Sequence, residues 1–349
     1  MLSGQPIRPI ELRAANAREY ALLSALQNRL LAECLPDDPP TPLEDHTRSW
    51  RNLPPFLDVF DHLILSADGT FALASGAISL PRTDENRHVA YVGIGVLPEC
   101  RRQGLARRLL APIADLARRD GRRLLLISTN ARVPAGEAFM RRLGAKAGQQ
   151  GHTNQLDLAD LDRDLLGRWL TEGPLRARGF ELGLWTGEYP EAELATIAAL
   201  HGILNQAPRG DFDVEDRQVT PEQLRQMEAS NRASGTERWT LYARVQASGA
   251  FAGFTEVFWH PSHPAMLSQG ITGVFQAHRH RGLGRWLKAA MLDKVLRDRS
   301  EVRLIRTSNA DSNAAMLAIN HALGFRPHPA ETFWQVETDA VFRYLDART

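Results

Sequence analysis

Two short basic segments that contain glycine carry the residues of this sequence best suited to hold an anion. They read ECRRQGLARRLL at residues 99–110 and AHRHRGLGRWLK at residues 277–288. In each segment an apolar pattern typical of a helix begins directly after the glycine. The first turn of a helix has unpaired backbone N–H groups and a partial positive charge, and arginine binds phosphate in a bidentate manner. We therefore predict a phosphate or diphosphate site at each segment.

Other phosphate-binding motifs fit these segments less well. No Gly-Lys-Ser/Thr is present, which a nucleotide-triphosphatase loop requires. No Gly-x-Gly-x-x-Gly precedes an acidic ribose-binding residue, and each turn follows the third strand of a predicted meander instead of the first strand of a βαβ unit. One such segment would be weak evidence, because solvated helix starts are often basic. Two copies in matching context favour a binding role.

The two segments lie at matching positions of a pattern that occurs twice. Each half starts with a short strand and a helical apolar pattern, at residues 10–31 and 180–204. Each continues through a predicted hairpin, at residues 60–80 and 239–259, to a third strand that leads into the basic segment. A helix, an apolar strand and a helix that ends in Leu-Gly follow. Two unrelated α/β domains would have to match in six elements by chance, so we infer a tandem duplication.

The repeat sets the predicted domain boundaries. We expect an N-terminal domain at residues 1–156, a linker helix with coil at residues 157–179, and a C-terminal domain at residues 180–349.

Composition excludes several classes of protein. The net charge of +1 gives no general attraction to nucleic acid or membrane, and no apolar run approaches the roughly 20 residues of a membrane span. Two cysteines, Cys34 and Cys100, are too few for a disulfide framework, and the N-terminus lacks a signal-peptide core. No metal site is predicted, because His260 and His263 lack a matching ligand cluster. We expect a cytoplasmic protein, either a monomer or a homodimer.

The basic segments resemble the hallmark of the GCN5-related N-acetyltransferases (GNAT), Arg/Gln-x-x-Gly-x-Gly/Ala. The motif reads Arg101-x-x-Gly104-x-Ala106 in the first half and Arg279-x-x-Gly282-x-Gly284 in the second. SNADSNAAMLAINHALGF, residues 308–325, is similar to a later strand–helix segment of the family. The resemblance covers residues 7–155 and 180 to the end, and two-copy chains of this kind resemble mycothiol synthase.

This resemblance implies a fold class and a cosubstrate. The fold is α/β (α+β), with two tandem GNAT acyl-CoA N-acyltransferase folds, each a mixed, mostly antiparallel sheet flanked by helices. The cosubstrate is acetyl-CoA, with its pyrophosphate on the glycine turn and its pantetheine between the fourth and fifth strands. The implied contacts come from these strands, the turns and two later asparagines: Ile94, Val96, Arg101, Arg102, Gln103, Gly104, Leu105, Ala106, Thr272, Val274, Arg279, His280, Arg281, Gly282, Leu283, Gly284, Arg285, Asn309 and Asn313. For the two asparagines, helix capping is an equal alternative.

Acetyl transfer to an amine needs a base, because a free alkylammonium titrates near pH 10. The candidate is Glu256, which alternation places on the same strand face as Phe254 and Phe258. A carboxylate buried between aromatic side chains has a raised pKa, which suits a base. The alternative is a glutamate that faces solvent on an edge strand.

The N-terminal half lacks a base and an acid at the corresponding positions. When the two halves are aligned at Gly69 and Gly249, Gly76 takes the position of Glu256. The family's tyrosine acid, which protonates the leaving thiolate, is replaced by Asn320 in one half and by Met140 in the other. Asparagine can donate a hydrogen bond to a thiolate, and methionine cannot.

The predicted function is therefore acetyl-CoA-dependent N-acetylation of a small-molecule amine by the C-terminal half, with Glu256 and Asn320 as its catalytic residues. The N-terminal half is expected to bind cofactor without turnover. Two alternatives remain open at this point: a non-catalytic acyl-CoA-binding regulatory or scaffold protein, and a protein or peptide N-acetyltransferase.

Overall fold

The computed structural model of the protein describes residues 4–347. Within them the chain forms two compact units. The N-terminal unit contains the described residues up to 150, residues 210–215 and the described residues from 329 onward. The C-terminal unit contains residues 151–209 and 216–328.

The described elements follow one another along the chain in the order that the repeat predicts, with additional strands and helices. In the first half they are β1 (Ile7–Glu11), α1 (Ala17–Cys34), α2 (Leu43–Arg51), β2 (Leu57–Leu65), β3 (Ala72–Pro81), β4 (Val89–Val96), α3 (Leu105–Arg119), β5 (Leu124–Asn130), α4 (Pro134–Leu143) and β6 (Lys146–Asp157). In the second half they are α5 (Arg163–Arg176), β7 (Phe180–Thr186), α6 (Leu194–Leu200), α7 (Pro221–Ser234), β8 (Glu237–Val245), β9 (Phe251–Trp259), β10 (Met266–Val274), α8 (Leu283–Asp298), β11 (Leu304–Ala310), α9 (Ala314–Ala322), β12 (Arg326–Glu337) and α10 (Thr338–Asp346).

Each unit contains a mixed, mostly antiparallel sheet. The strand order is β1-β2-β3-β4-β5-β12 in the N-terminal unit and β7-β8-β9-β10-β11-β6 in the C-terminal unit. Only the β4–β5 and β10–β11 pairs are parallel among these neighbours. The predicted fold class and both predicted hairpins are confirmed, with Gly69 and Gly249 in the left-handed conformation at the turns.

Local sequence signals explain several helix ends. At the start of α1, the side chain of Asn16 accepts from the backbone of Glu19, whose side chain accepts from the backbone of Asn16. This reciprocal pair satisfies two N–H groups of the first turn. The Leu-Gly pairs after α4 and α9 place Gly144 and Gly324 at positive φ, 77° and 101°, where glycine avoids the strain of a side chain.

The sixth strand of each sheet comes from the other half of the sequence. β12 pairs with β5 through Glu331–Glu337, and β6 pairs with β11 through Gly151–Asp157. The units therefore differ from the expected domains 1–156 and 180–349, because the last strand and helix complete the N-terminal unit. Alternation of apolar residues fixes which face of a strand is buried, but it does not name the strand's partner.

The segment expected to link the domains belongs to the C-terminal unit. A helix, α5, does form within residues 157–179, but its Leu166 and Trp169 are buried in one core with Leu287 of α8. The contact is close, since a Cβ atom at Gly173 would lie 2.4 Å from the indole ring of Trp286. Glycine at this position therefore lets α5 approach α8.

No helix among residues 4–347 is both long enough and apolar enough to cross a membrane.

Candidate functional site

The two glycine turns have the same backbone conformation. Arg102 and His280 both have φ of 64°, and the glycines that follow two residues later, Gly104 and Gly282, have φ of 79° and 80°. A non-glycine residue in the left-handed region costs free energy and persists where the surrounding structure requires it. Each glycine caps a helix, α3 or α8, without a side-chain hydrogen bond to the first-turn N–H groups. Such N–H groups can bind an anion, so both turns keep the local geometry that the predicted phosphate sites require.

The first arginine of each motif is held by the protein itself. Arg101 donates through Nε to the carbonyl of Val96 at 3.1 Å, and its guanidinium forms a bidentate pair with Glu33. Arg279 repeats this contact with the carbonyl of Val274 at 3.0 Å. The sequence predicts phosphate contacts from both arginines, and within the protein each guanidinium is anchored to the end of the preceding strand. The side chains of Arg102, His280, Arg281 and Arg285 are exposed, and the charge of the three arginines is available to phosphate.

A cavity of about 640 Å³ opens beside the turn of the N-terminal unit. β4 and β5 pair only as far as Val92 and Ile127, and the two strands separate beyond that point. Seven of the predicted cofactor residues line the cavity: Ile94, Val96, Arg101, Arg102, Gly104, Leu105 and Ala106. Its wall also contains Met140, the residue at the expected acid position, and Tyr344. Sequence reasoning missed Tyr344, because α10 packs on α3 and α4, which lie about 200 residues earlier in the sequence.

In the C-terminal unit β10 separates from β11 in the same way. The two strands pair from Met266 to Ser268, and beyond that point β10 leaves β11 but stays paired with β9 from Thr272 to Val274. The hydroxyl of Thr272 lies 2.7 Å from that of Thr255 on β9. Both strand residues predicted to contact pantetheine are half-buried on this separated segment.

A buried lysine contacts β10 where this strand separates from β11, and the sequence did not predict a role for the lysine. Lys288 of α8 is 1% exposed, and its Nζ donates to Gln269 Oε1 at 2.7 Å and to Asn320 Oδ1 at 2.6 Å. Burial lowers the pKa of Lys288 to about 7. A lysine on the apolar face of a helix, between Leu287 and Met291, was the signal that could have found it.

These contacts occupy Asn320, which is fully buried. Its Oδ1 accepts from Lys288, and its Nδ2 donates to Asn309 Oδ1 at 2.7 Å. The expectation that Asn320 donates to a thiolate is therefore not supported by its contacts. Asn313 caps α9 by accepting from Met316 N at 3.4 Å, as the capping alternative predicted. The hydrogen bonds of Asn313 and Asn309 described here go to other residues of the protein.

Replacing Lys288 by methionine is expected to remove a pH dependence of stability. Because the pKa is about 7 in the folded state and 10.5 in the unfolded state, the unfolded chain binds more protons between these values. The free energy of unfolding therefore rises with pH there, by at most about 1.4 kcal/mol per pH unit. Urea unfolding of wild type and Lys288→Met between pH 7 and 8.5 measures the difference in slope. Lys294→Met, which removes a lysine paired with Asp298 at the surface, should keep the wild-type slope.

The carboxylate predicted as a base is buried next to the separated strand. Glu256 is 5% exposed, and its Oε1 accepts from the backbone N–H of Ile271 at 3.4 Å, one residue before Thr272. Burial raises its pKa to about 7, although the Ile271 N–H and the charge of Arg238 lower it. The exposed-glutamate alternative is thereby excluded. Phe254 lies on the same face of β9 and is completely buried against the ring of His201.

Comparison with known proteins agrees with this geometry. A family model described as "Acetyltransferase (GNAT) family" matches residues 25–145, which include the first glycine turn. A solved tandem GNAT protein from the clavulanic acid biosynthesis pathway, determined without AcCoA, is 30% identical, covers 95% of this chain and 99% of its own, and has a TM-score of 0.77. The chain belongs to the GNAT acetyltransferase family.

More distant GNAT structures share the fold. A GCN5-related N-acetyltransferase from Sphaerobacter thermophilus is 16% identical, with 95% of this chain and 96% of that chain covered and a TM-score of 0.67. A glucosamine N-acetyltransferase region of a fungal multi-domain β-N-acetylglucosaminidase is 12% identical, over 95% of this chain and 38% of that chain, with a TM-score of 0.62. No curated protein sequence matches this GNAT chain. None of these three structures is described as a mycothiol synthase, so that finer resemblance stays a prediction.

The structure places no group of three or more His, Cys, Asp or Glu side chains of residues 4–347 where they could hold a metal ion.

Proposed function

We propose that this GNAT protein transfers an acetyl group from acetyl-CoA to the amine of a small molecule, with the chemistry in the C-terminal unit. The observation that carries the proposal is the hydrogen bond between Glu256 and the backbone of Ile271. It holds a buried carboxylate against the strand segment on which the resemblance expects the thioester.

Both glycine turns fit the diphosphate of acetyl-CoA. Their first-turn N–H groups have no side-chain cap, and a cavity leads away from the N-terminal turn between the separated strands. When bound, acetyl-CoA supplies an acyl group activated as a thioester. The backbone from Thr272 to Val274 would pair with pantetheine, and an N–H group directed at the thioester carbonyl would stabilise the developing oxyanion by about 3 kcal/mol.

Glu256 would accept the proton that the amine loses. A base works best when its pKa lies near the operating pH, and the pKa of Glu256, raised to about 7 by burial, meets this condition. The side-chain amide of Asn320 bonds to Lys288 and Asn309 within the protein, so the CoA thiolate would take its proton from water.

We expect wild type to bind two molecules of acetyl-CoA, and we expect one site to be lost in each of Ala106→Glu and Gly284→Glu. Both positions lie in the first turn of their helix, where a glutamate side chain is compatible with the helix but places bulk and negative charge at the diphosphate site. At Gly284 a Cβ atom would meet its nearest neighbour at 3.4 Å, an ordinary contact. Isothermal titration calorimetry measures the stoichiometry.

Ala106→Gln and Gly284→Gln are the matched controls, since they add similar bulk without charge and should weaken binding less. A wild-type stoichiometry of one that Ala106→Glu does not change would contradict the two-site proposal.

A further inference from the structure

The pairing of the strands corrects the alignment of the two halves. In the N-terminal unit Ser75 of β3 pairs with Gly95 of β4, and Gly95 faces α1, because a Cβ atom there would lie 2.3 Å from Leu30. In the C-terminal unit Phe254 of β9 pairs with Gly273 of β10, which faces the 3-10 helix that follows α6. Ser75 and Phe254 are therefore equivalent positions of the two sheets.

Counting from these positions identifies the counterpart of Glu256. Glu256 lies two residues after Phe254, and the residue two positions after Ser75 is Ala77. The sequence alignment had assigned Gly76, which is wrong, since a Cβ atom at Gly76 would point into α3, at 3.0 Å from Leu109.

The N-terminal unit does carry a carboxylate at this level of the sheet, on the neighbouring strand. Glu256 pairs across β9 and β8 with Thr240, and Ala77 pairs across β3 and β2 with Asp61. The acidic residue of the pair thus lies on β9 in the C-terminal unit but on β2, the neighbour of the equivalent strand β3, in the N-terminal unit. Directly paired residues share a face of the sheet, so Asp61 lies on the same face as Ala77.

The environment of Asp61 resembles that of Glu256. Its side chain is 3% exposed, and its Oδ1 accepts from the backbone N–H of His62 at 2.7 Å. Burial raises its pKa to about 7, opposed only by backbone N–H groups of His62 and Gly76. Within residues 4–347 it forms no ion pair, unlike Asp58 on the same strand, which pairs with Arg13 and Arg82.

Small residues lie on this face between Asp61 and the cavity. Ala77 pairs with Gly93 of β4, which is exposed, and a Cβ atom at Gly93 would meet nothing within 4 Å. Two residues further along β4, Gly95 lines the cavity. Because strands lie about 4.8 Å apart, Asp61 is roughly 10 Å from β4, one strand further than Glu256 is from β10. Between Asp61 and Gly93, Ala77 carries only a methyl group on this face.

We propose that the N-terminal unit is a second acetyl-transfer site, in which Asp61 takes the proton of the amine through a water molecule over Ala77. The inference rests on the proposed function, because it uses the same acetyl-CoA chemistry. The amine nitrogen bonds to the thioester carbonyl carbon, and the carbon–sulfur bond breaks. The amine proton passes through the water to Asp61 and then to solvent, while the CoA thiolate takes a proton from solvent.

The test isolates the N-terminal site in the Gly284→Glu chain. CoA thiol release is followed with acetyl-CoA and a panel of primary amines that contains amino acids, polyamines and amino sugars. We expect release to persist, to rise with pH through about 7 because Asp61 must be ionised, and to fall about 10²-fold or more in Gly284→Glu/Asp61→Asn. Asp120→Asn is the control, since this carboxylate of the same unit only pairs with Arg82 and Arg122.

A rescue experiment separates catalysis from folding. Asp61→Thr should abolish release, and Asp61→Thr/Ala77→Glu, which copies the Thr240–Glu256 pair, should restore it. A structural role for Asp61 would show instead as a lower Tm with no rescue.

The outcomes distinguish the two proposals. If Gly284→Glu binds one acetyl-CoA but releases no CoA with amines that wild type acetylates, the Asp61 inference is overturned and the proposed function stands. If release is lost in Ala106→Glu and Asp61→Asn but unchanged in Gly284→Glu, the Asp61 site stands and catalysis in the C-terminal unit is refuted. No release by wild type with any amine would overturn both.

Discussion

In the Ala106→Glu chain, where only the C-terminal site can bind cofactor, replacing Glu256 by glutamine should lower kcat about 10²- to 10⁴-fold. Glutamine keeps the shape of the side chain but cannot accept the proton of the amine. Acetyl-CoA affinity should stay nearly unchanged, because the carboxylate acts on the acceptor. The rate of the parent chain should rise with pH and level off above about 7, where Glu256 is ionised, and the variant should lose this dependence. Steady-state kinetics between pH 5.5 and 9 measures both effects.

Stability provides the control for this variant. The pKa of Glu256 is raised in the folded state, so its contribution to stability is lost as the pH rises from 4.5 to about 7. Glu256→Gln should therefore not lower Tm at pH 8. Glu228→Gln is the matched comparison, since Glu228 is equally buried but bonds to Arg238 and the backbone of Tyr189. It should lower Tm and keep the pH profile. A Glu256→Gln chain with full rate at every pH would exclude this carboxylate as the base.

Ending the chain at residue 328 should unfold the N-terminal unit and leave the C-terminal unit folded. The cut removes β12, which pairs with β5 over seven residues, and α10. Trp334, Val336 and Val341 lie buried in the N-terminal core, and burial of each is worth roughly 1.5–3 kcal/mol. Their sum is comparable with the about 5–15 kcal/mol by which a whole protein is stable. Hydrogen exchange should show loss of protection in β5 and α3 while β10 and α8 stay protected.

Calorimetry gives an independent measure of the truncated chain, which should bind one acetyl-CoA. A chain ending at Glu337 is the control, because it keeps β12 and lacks only α10, and it should be destabilised less. Two intact binding sites in the chain ending at residue 328 would show that β12 is dispensable.

The sequence predicted several features that depend on neighbouring residues. The turns at Gly104 and Gly282, the hairpin glycines and the Leu-Gly helix ends each need a conformation that glycine allows, so they are visible locally. The burial of Glu256 followed from alternation with Phe254, because one face of a strand is set by its own pattern.

Features that depend on distant partners were not predictable. β3 begins three positions after the turn glycine Gly69, but β9 begins only two positions after Gly249. Aligning the two glycines therefore shifts β3 by one residue against β9. A shift of one residue turns a side chain to the opposite face, which is why Asp61 and Ala77 were missed. Partners of β6 and β12 depend on contacts about 150 and 200 residues away in the sequence, and no local pattern specifies them.

Because the sixth strand of each sheet comes from the other half of the sequence, the order of synthesis on the ribosome also matters. β5 is translated early, but the strand that covers its free side begins about 200 residues later. At about 5–20 residues per second, β5 would wait roughly 10–40 s with an unpaired edge, and unpaired edges are the places where strands of other chains add. The nascent N-terminal half therefore depends on chaperones or on prompt translation of the second half. Synonymous codon changes that slow translation after residue 130 should reduce the soluble yield of a protein whose mature sequence is unaltered.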